Sequence, residues 1–212
     1  GSKTGICYYG VQTNFRLNDT FKNHPKIKIL FCGTITNDTG SDILVKAIQL
    51  IRQKQEPWSK NIQFVITGKG SEIPTLEKLA SEKVNPRIKV TGRLTNSEYR
   101  NTLESCDVGL ALKPNLGSLA NTTFPSKVIE FAGSSLLVLT TDISDVKLIL
   151  KNSAVYLEND DPEELVNRIE WIINNRKKSI EMAKKGNFLI RQQCSMKTGG
   201  KKLANYIFMD SK

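Results

Sequence analysis

The sequence predicts a doubly wound α/β fold: a parallel, Rossmann-like sheet with helices on both faces, followed by a helical carboxyl-terminal tail. Three observations predict it. From Lys26 onward, short apolar runs rich in β-branched residues recur at KIKILFCG, NIQFVITG, RIKVTG, DVGLAL, SSLLVLTT and AVYLE. Helix-like stretches separate the first five runs, and such alternation implies parallel strands joined by crossover helices. After Ile173 the pattern is helical and basic, with no further strand-like run.

The helices carry positional start signals. Thr95 and Glu98 in TNSE have capping-box spacing. In DPEE, Asp161 is the expected cap, Pro162 lies in the first turn and Glu164 takes the reciprocal position. Beyond it, Leu165, Val166, Ile169, Ile172 and Ile173 recur at intervals of three and four, a core-facing stripe. In the tail, Gly186 and the Gly199-Gly200 pair weaken a continuous helix, which predicts two or three short helices.

Composition narrows the function classes. A chain of 212 residues with 39% hydrophobic content can bury a proper core. Its longest apolar runs fall far short of the roughly 20 residues of a membrane-spanning helix. The opening Gly-Ser is read as a cloning scar, with no leader peptide after it. Cys7, Cys32, Cys106 and Cys194 are too scattered for a zinc or dithiol site and are read as reduced, structural thiols. His24, the only histidine, is read as a loop residue. Of the net charge of +10, residues 176–212 carry +8, from ten Lys or Arg against two acids. That tail could meet anionic lipid or a neighbouring domain. Phe188, Tyr206 and Phe208 are spaced as packing residues rather than as a base-stacking array, which argues against nucleic acid.

Ligands of an open parallel sheet bind beyond the carboxyl ends of its strands, where helix amino termini present N–H groups. Four loops therefore matter: Cys32 to Asp42, Thr67 to Glu72, Gly92 to Glu98 and Lys113 to Lys127. Gly33 beside Thr34, and Gly68 beside Lys69, would let backbone approach a phosphate closely. The fourth loop leads into FPSKVIEFAG, where Pro125 suits a first helical turn and Ser126 and Lys127 follow at the helix amino terminus. Glu130 lies one turn on. Lys127 and Glu130 are either an ion pair of a few tenths of a kcal/mol or two halves of a site for a charged ligand.

Five blocks in order carry a resemblance over about Tyr8 to Tyr206: YYGVQTNF, FCGTITNDTGSDILVKAI, FVITGKGSEIPTLEKLA, RIKVTGRLTNSEYRNTLESCDVGLAL and FPSKVIEFAGSSLLVLTTDISDVKLIL. Together they resemble the carboxyl-terminal, donor-binding domain of GT-B fold glycosyltransferases of the retaining family 4, also called group 1. The FPSK wording is similar to a bacterial branch that makes surface polysaccharides. In this resemblance Glu130 matches the second glutamate of the family's Glu-x7-Glu motif, which holds the ribose, and the first glutamate falls at Thr122. The arginine and lysine that hold the donor diphosphate fall at Thr34 and Thr39, so three charged family positions are neutral here. Lys69, Arg93, Lys113 and Lys127 are the cations near them, and backbone around Arg93 and Leu94 would frame the base.

The resemblance also implies an acceptor-binding amino-terminal domain. Residues 1–24 are then scar and linker remnant, 25–175 the nucleotide-sugar-binding domain, and 176–212 basic helices packing on that domain or on the missing one. The implied activity is transfer of a sugar from a nucleotide-sugar to a glycan or lipid-linked acceptor, with no cofactor, no bound metal and no turnover by this fragment alone. The implied setting is a bacterial cytoplasm, at the inner membrane surface if the basic tail meets lipid. Two alternatives stay open: a non-catalytic glycosyltransferase-like partner subunit and a GT-B fold nucleotide-sugar epimerase.

Overall fold

The computed structural model describes residues 26–114 and 126–209. Six strands, β1 (Ile27–Thr34), β2 (Ile62–Lys69), β3 (Arg87–Val90), β4 (Val108–Ala111), β5 (Leu137–Thr141) and β6 (Ala154–Leu157), form a sheet in the order β3-β2-β1-β4-β5-β6. Every neighbouring pair is parallel. The eight α-helices described are α1 (Ser41–Gln53), α2 (Ile73–Ser81), α3 (Asn96–Ser105), α4 (Ser126–Gly133), α5 (Val146–Leu150), α6 (Pro162–Asn174), α7 (Arg176–Cys194) and α8 (Met196–Met209). Each expected strand is present, and the first four helices fall between the first five strands. The short α5, between β5 and β6, has no counterpart in the sequence reading.

The strands alternate between two cores, as period 2 requires. Ile27, Ile29 and Phe31 of β1 join one apolar cluster with residues of α1, α2 and α6, whereas Leu30 and Cys32 join a second with residues of α3, α4, α5 and α7. Gly109 of β4 brings α4 close to the second face. A Cβ at that position would lie 2.3 Å from the Phe131 ring, so only glycine admits the aromatic side chain there.

The chain winds outward from β1 through β2 to β3, then returns and winds outward from β4 to β6. The strand order reverses between β1 and β4, which is where an open α/β sheet leaves a crevice at its carboxyl edge.

Three local expectations need correction. Glu164 does not complete a capping box with Asp161. Its carboxylate accepts from the N–H groups of Glu158 and Asn159 (2.9 and 3.0 Å), while Asn159 Oδ1 takes the Asp161 N–H at 3.0 Å. The Asn159 side chain reaches that donor locally, leaving Glu164 to tie down the preceding turn. Second, the tail is not a set of short helices: α7 runs 19 residues through Gly186 and α8 runs 14 through Gly199 and Gly200. Gly186 is buried against Ser153 and Ala132, and this close approach outweighs its intrinsic helix cost of about 1 kcal/mol. Third, Phe188, Tyr206 and Phe208 are not core residues among the described ones, being 60%, 49% and 71% exposed. The Leu165, Val166, Ile169 and Ile172 stripe is buried and Ile173 lies at its edge. Cys32, Cys106 and Cys194 are buried and form no disulfide among the described residues.

Candidate functional site

The carboxyl ends of β1 and β2 make one wall of a cleft almost entirely from backbone. Gly33 and Gly68 are register partners, with φ of +115° and +137°. A Cβ on Gly68 would stand 1.9 Å from the Gly33 carbonyl oxygen. No L side chain fits that space or favours that conformation. The Gly68 N–H donates to the Gly92 carbonyl at 2.8 Å and the Thr67 hydroxyl donates to the same oxygen at 2.8 Å. These bonds draw the loop after β3 onto the end of β2 and so bring Arg93 and Leu94 alongside Lys69.

Beyond β1 the chain turns tightly. The Thr39 hydroxyl donates to the carbonyls of Thr34 and Thr36 at 2.7 and 2.8 Å, and accepts from the Thr36 N–H at 3.1 Å. Thr39 thus shapes the loop, and Thr34 is exposed at the end of the strand.

The opposite wall consists of side chains from α3 and α4. The Thr95 box forms as its spacing predicts: Glu98 N–H donates to Thr95 Oγ1 at 3.3 Å, and Glu98 Oε2 accepts from Thr95 N–H at 2.8 Å. These bonds, with the Thr95 hydroxyl first, hold the Glu98 carboxyl below its usual range. The cap fixes the start of α3 and so sets Tyr99 one turn later. From α4, Lys127 Nζ donates to Tyr99 Oη at 3.1 Å and to Glu130 Oε2 at 2.6 Å, and lies 4.9 Å from the Tyr99 ring centroid. Tyr99 Oη in turn is 3.2 Å from Cys32 Sγ. Burial pushes the pKa of both the phenol and the thiol up, so both groups are neutral near pH 7.

Between the walls lies a cleft of about 350 Å³, lined by Cys32, Gly33, Thr34, Thr67, Gly68, Lys69, Arg93, Leu94, Asn96, Tyr99 and Lys127. That volume is in the range of small-ligand pockets. Its described lining holds three cations, Lys69, Arg93 and Lys127, and no carboxylate, which suits an anion. Among the described residues no group of three or more His, Cys, Asp or Glu could hold a metal ion. No described helix is long and apolar enough to cross a membrane.

Seven of the ten site residues expected from sequence meet here: Gly33, Thr34, Gly68, Lys69, Arg93, Leu94 and Lys127. Ser126 and Glu130 belong to α4 but do not line the cleft, because Glu130 is turned onto Lys127. Thr122 and Pro125 lie outside the described residues. Lys113 is absent from the lining; its N–H donates to Thr141 Oγ1 at 3.1 Å. Sequence reasoning missed Tyr99, Cys32, Thr67 and Asn96 as site residues. For Tyr99 the sequence carries a cue: a cap at Thr95 sets the first turn of the helix, and with it residue 99, at the cleft end.

The model of the family described as glycosyl transferases group 1 matches residues 26–175. Among curated proteins, the chain is similar to the phosphatidylinositol N-acetylglucosaminyltransferase GPI3 subunit of Saccharomyces cerevisiae, with 24% identity over 155 residues, 72% of this chain and 32% of that protein. Among solved structures it is similar to Anabaena HepE in complex with UDP and glucose, with a TM-score of 0.73, 14% identity, and coverage of 96% of this chain and 56% of that one. It is also similar to S. aureus TarM in complex with fondaparinux, α-GlcNAc-glycerol and UDP, with a TM-score of 0.70, 18% identity, and coverage of 92% and 38%. At these identities the structural likeness speaks for the fold. The chain spans about a third of the length of the curated relatives it matches first.

Proposed function

Because the chain belongs to the glycosyl transferases group 1 family, we propose that it is the donor-binding half of a retaining glycosyltransferase. It takes a sugar from a nucleoside diphosphate sugar for a glycan or lipid-linked acceptor, in bacterial surface polysaccharide synthesis. One observation supports this above the others: the cleft at the strand-order reversal gathers glycine backbone and three cations around an opening without a carboxylate in its described lining.

The chemistry asked of these residues is electrostatic. As the bond from sugar to diphosphate breaks, negative charge grows on the leaving phosphate, and cations already in place stabilise it without reorganising. Lys127, at the amino end of α4, adds its ammonium to the favourable helix-end potential. Lys69 and Arg93 face the same opening. The backbone at Arg93 and Leu94 frames the base, and Glu130 accepts from the ribose diol. No cofactor besides the donor is required.

Residues 25–175 form the nucleotide-sugar-binding domain in this reading, and 176–212 the basic helices that contact it or an acceptor-binding domain. In this reading these 212 residues bind the donor and turn over no sugar on their own. The lysines and exposed apolar residues of α8 suit either that second domain or the anionic cytoplasmic face of a membrane. Titration with UDP, GDP, ADP and dTDP by calorimetry is the test: one of them binds and competes with its sugar conjugate, whereas binding of none sinks the proposal.

Thr34 and Thr39, neutral where the family carries charge, favour a second reading as a subunit that keeps the fold without donor chemistry. Thr39 is committed to shaping its loop. Tight binding of a partner glycosyltransferase together with no nucleotide binding would select that reading. Release of an epimerised sugar without any acceptor would instead select the epimerase.

A further inference from the structure

We propose that the Lys127–Glu130 ion pair is a closed form of the site, which a nucleoside diphosphate opens by exchange, and that Tyr99 is the residue that positions Lys127 for it. The proposal rests on the donor-binding reading above. Lys127 Nζ is spent on Glu130 Oε2 at 2.6 Å and on Tyr99 Oη at 3.1 Å. The lysine lines the cleft but the glutamate does not, although both side chains are about one-third exposed, at 34% and 28%. A diphosphate in the cleft would meet an ammonium already neutralised by a carboxylate. A vicinal diol would meet a carboxylate already occupied by an ammonium.

Each half of the ligand alone therefore has to break the pair and leave the other member without its partner, which is costly for partly desolvated charges. A nucleoside diphosphate supplies both replacements at once: phosphate oxygens for Lys127 and diol hydroxyls for Glu130. Phosphate and ribose recognition are then coupled through a single ion pair, and the coupling is reciprocal. Tyr99 keeps the exchange local. Its hydroxyl and ring face both hold Lys127 at the cleft, and Cys32 Sγ anchors that hydroxyl from the strand side at 3.2 Å. When Nζ leaves Glu130, the phenol remains as a hydrogen-bond acceptor, and the lysine stem already lies across Gly33, with Cε 3.7 Å from where a Cβ would stand.

Calorimetry on the full chain with UDP, uridine and pyrophosphate tests this. Tyr99→Phe keeps the ring and is expected to weaken UDP about fivefold to tenfold, a lost hydrogen bond to a charged group with the cation–π contact retained. In a Lys127→Ala background the same change is expected to do nothing. Glu130→Gln is expected to bind pyrophosphate several-fold more tightly than the wild type while binding UDP more weakly, opposite signs that a merely structural glutamate would not produce. If Tyr99→Phe acts equally in both backgrounds or in neither, or if Glu130→Gln fails to tighten pyrophosphate, the exchange is wrong. Should the wild type bind UDP through those failures, the donor reading survives alone; should it bind no nucleoside diphosphate, both fall.

Discussion

On the strand side of the cleft the surface is main chain, with Gly33 and Gly68 in contact so close that a Cβ on one would lie 1.9 Å from the carbonyl of the other. On the helix side it is a relay of side chains, Tyr99 to Lys127 to Glu130, anchored on Cys32 of β1 and linked by contacts of 3.2, 3.1 and 2.6 Å. The first wall is a consequence of sheet geometry and cannot change without changing the fold. The second can rearrange by rotating a lysine. Shape and charge recognition are therefore separated, one fixed by the backbone and the other by a network able to exchange partners.

The separation predicts distinct failures. The largest effect belongs to Gly68→Val, which places a branched side chain against the Gly33 carbonyl at a φ of +137°. The strain is expected to cost about 3–4 kcal/mol, read as a Tm lowered by about 10 °C in a chain of this size. A full-strength Tm would show that the strand wall can yield.

Lys127→Ala should do the reverse. UDP affinity falls about tenfold to a hundredfold with the loss of a charged hydrogen bond, whereas stability changes by less than about 1 kcal/mol because the ion pair is partly exposed. Unchanged affinity would return Lys127 to the role of a surface partner for Glu130.

Asn187→Ala tests how α4 is held from behind. The buried Asn187 side chain donates to the carbonyls of Ala132 and Gly133 at 3.0 and 2.8 Å, joining α7 to the last turn of α4. Its loss is expected to cost about 1–2 kcal/mol of stability and to weaken UDP about twofold to threefold by loosening the helix that carries Lys127. Equal UDP affinity with lowered stability would show that the helix keeps its place without this tie.

The smallest effect is chemical. Burial raises the Cys32 thiol above its ordinary value of 9.0, so at pH 8 it is protonated and iodoacetamide labels it slowly in the native protein. The sign is that of an acid kept neutral by folding. Its contribution to stability is complete below about pH 9, the unfolded value, and is lost as pH rises through the higher folded value. Tyr99→Ala uncovers the thiol and should speed labelling, followed by mass spectrometry. Rapid labelling of the native wild type would contradict the packing of the helix wall on β1.

Much of the strand wall was legible in the sequence because its causes are local. Apolar runs ending in glycine mark both the strands and the places where backbone meets backbone, and six expected residues, Gly33, Thr34, Gly68, Lys69, Arg93 and Leu94, lie on the cleft for that reason. The helix wall was legible only at its ends, through the Thr95 cap and the Lys127–Glu130 spacing. Tyr99 touches residues 67 and 28 positions away in the chain, and no periodicity records such meetings. Glu164 shows the same limit in reverse, since its spacing allowed a capping box until Asn159 took the donor. Helix propensity marks Gly186 as a weak point, but its neighbours Ser153 and Ala132 decide its conformation. Thr39 is neutral at a position where the resemblance implies a charge, and its hydroxyl makes the turn it sits in.

Gly109, beneath α4, sets a dimension of the site. Its hydrogen stands where a methyl group would be 2.3 Å from the Phe131 ring, and carbon atoms rest about 3.5–4.0 Å apart. An alanine at 109 would have to raise the helix by about 1 Å or more to restore that spacing, and Lys127 would rise with it. The depth of the cleft is thus gauged from the far side of the helix, by a residue no ligand would touch. A ligand of different girth would be accommodated by shimming the floor under α4 rather than by recutting the walls.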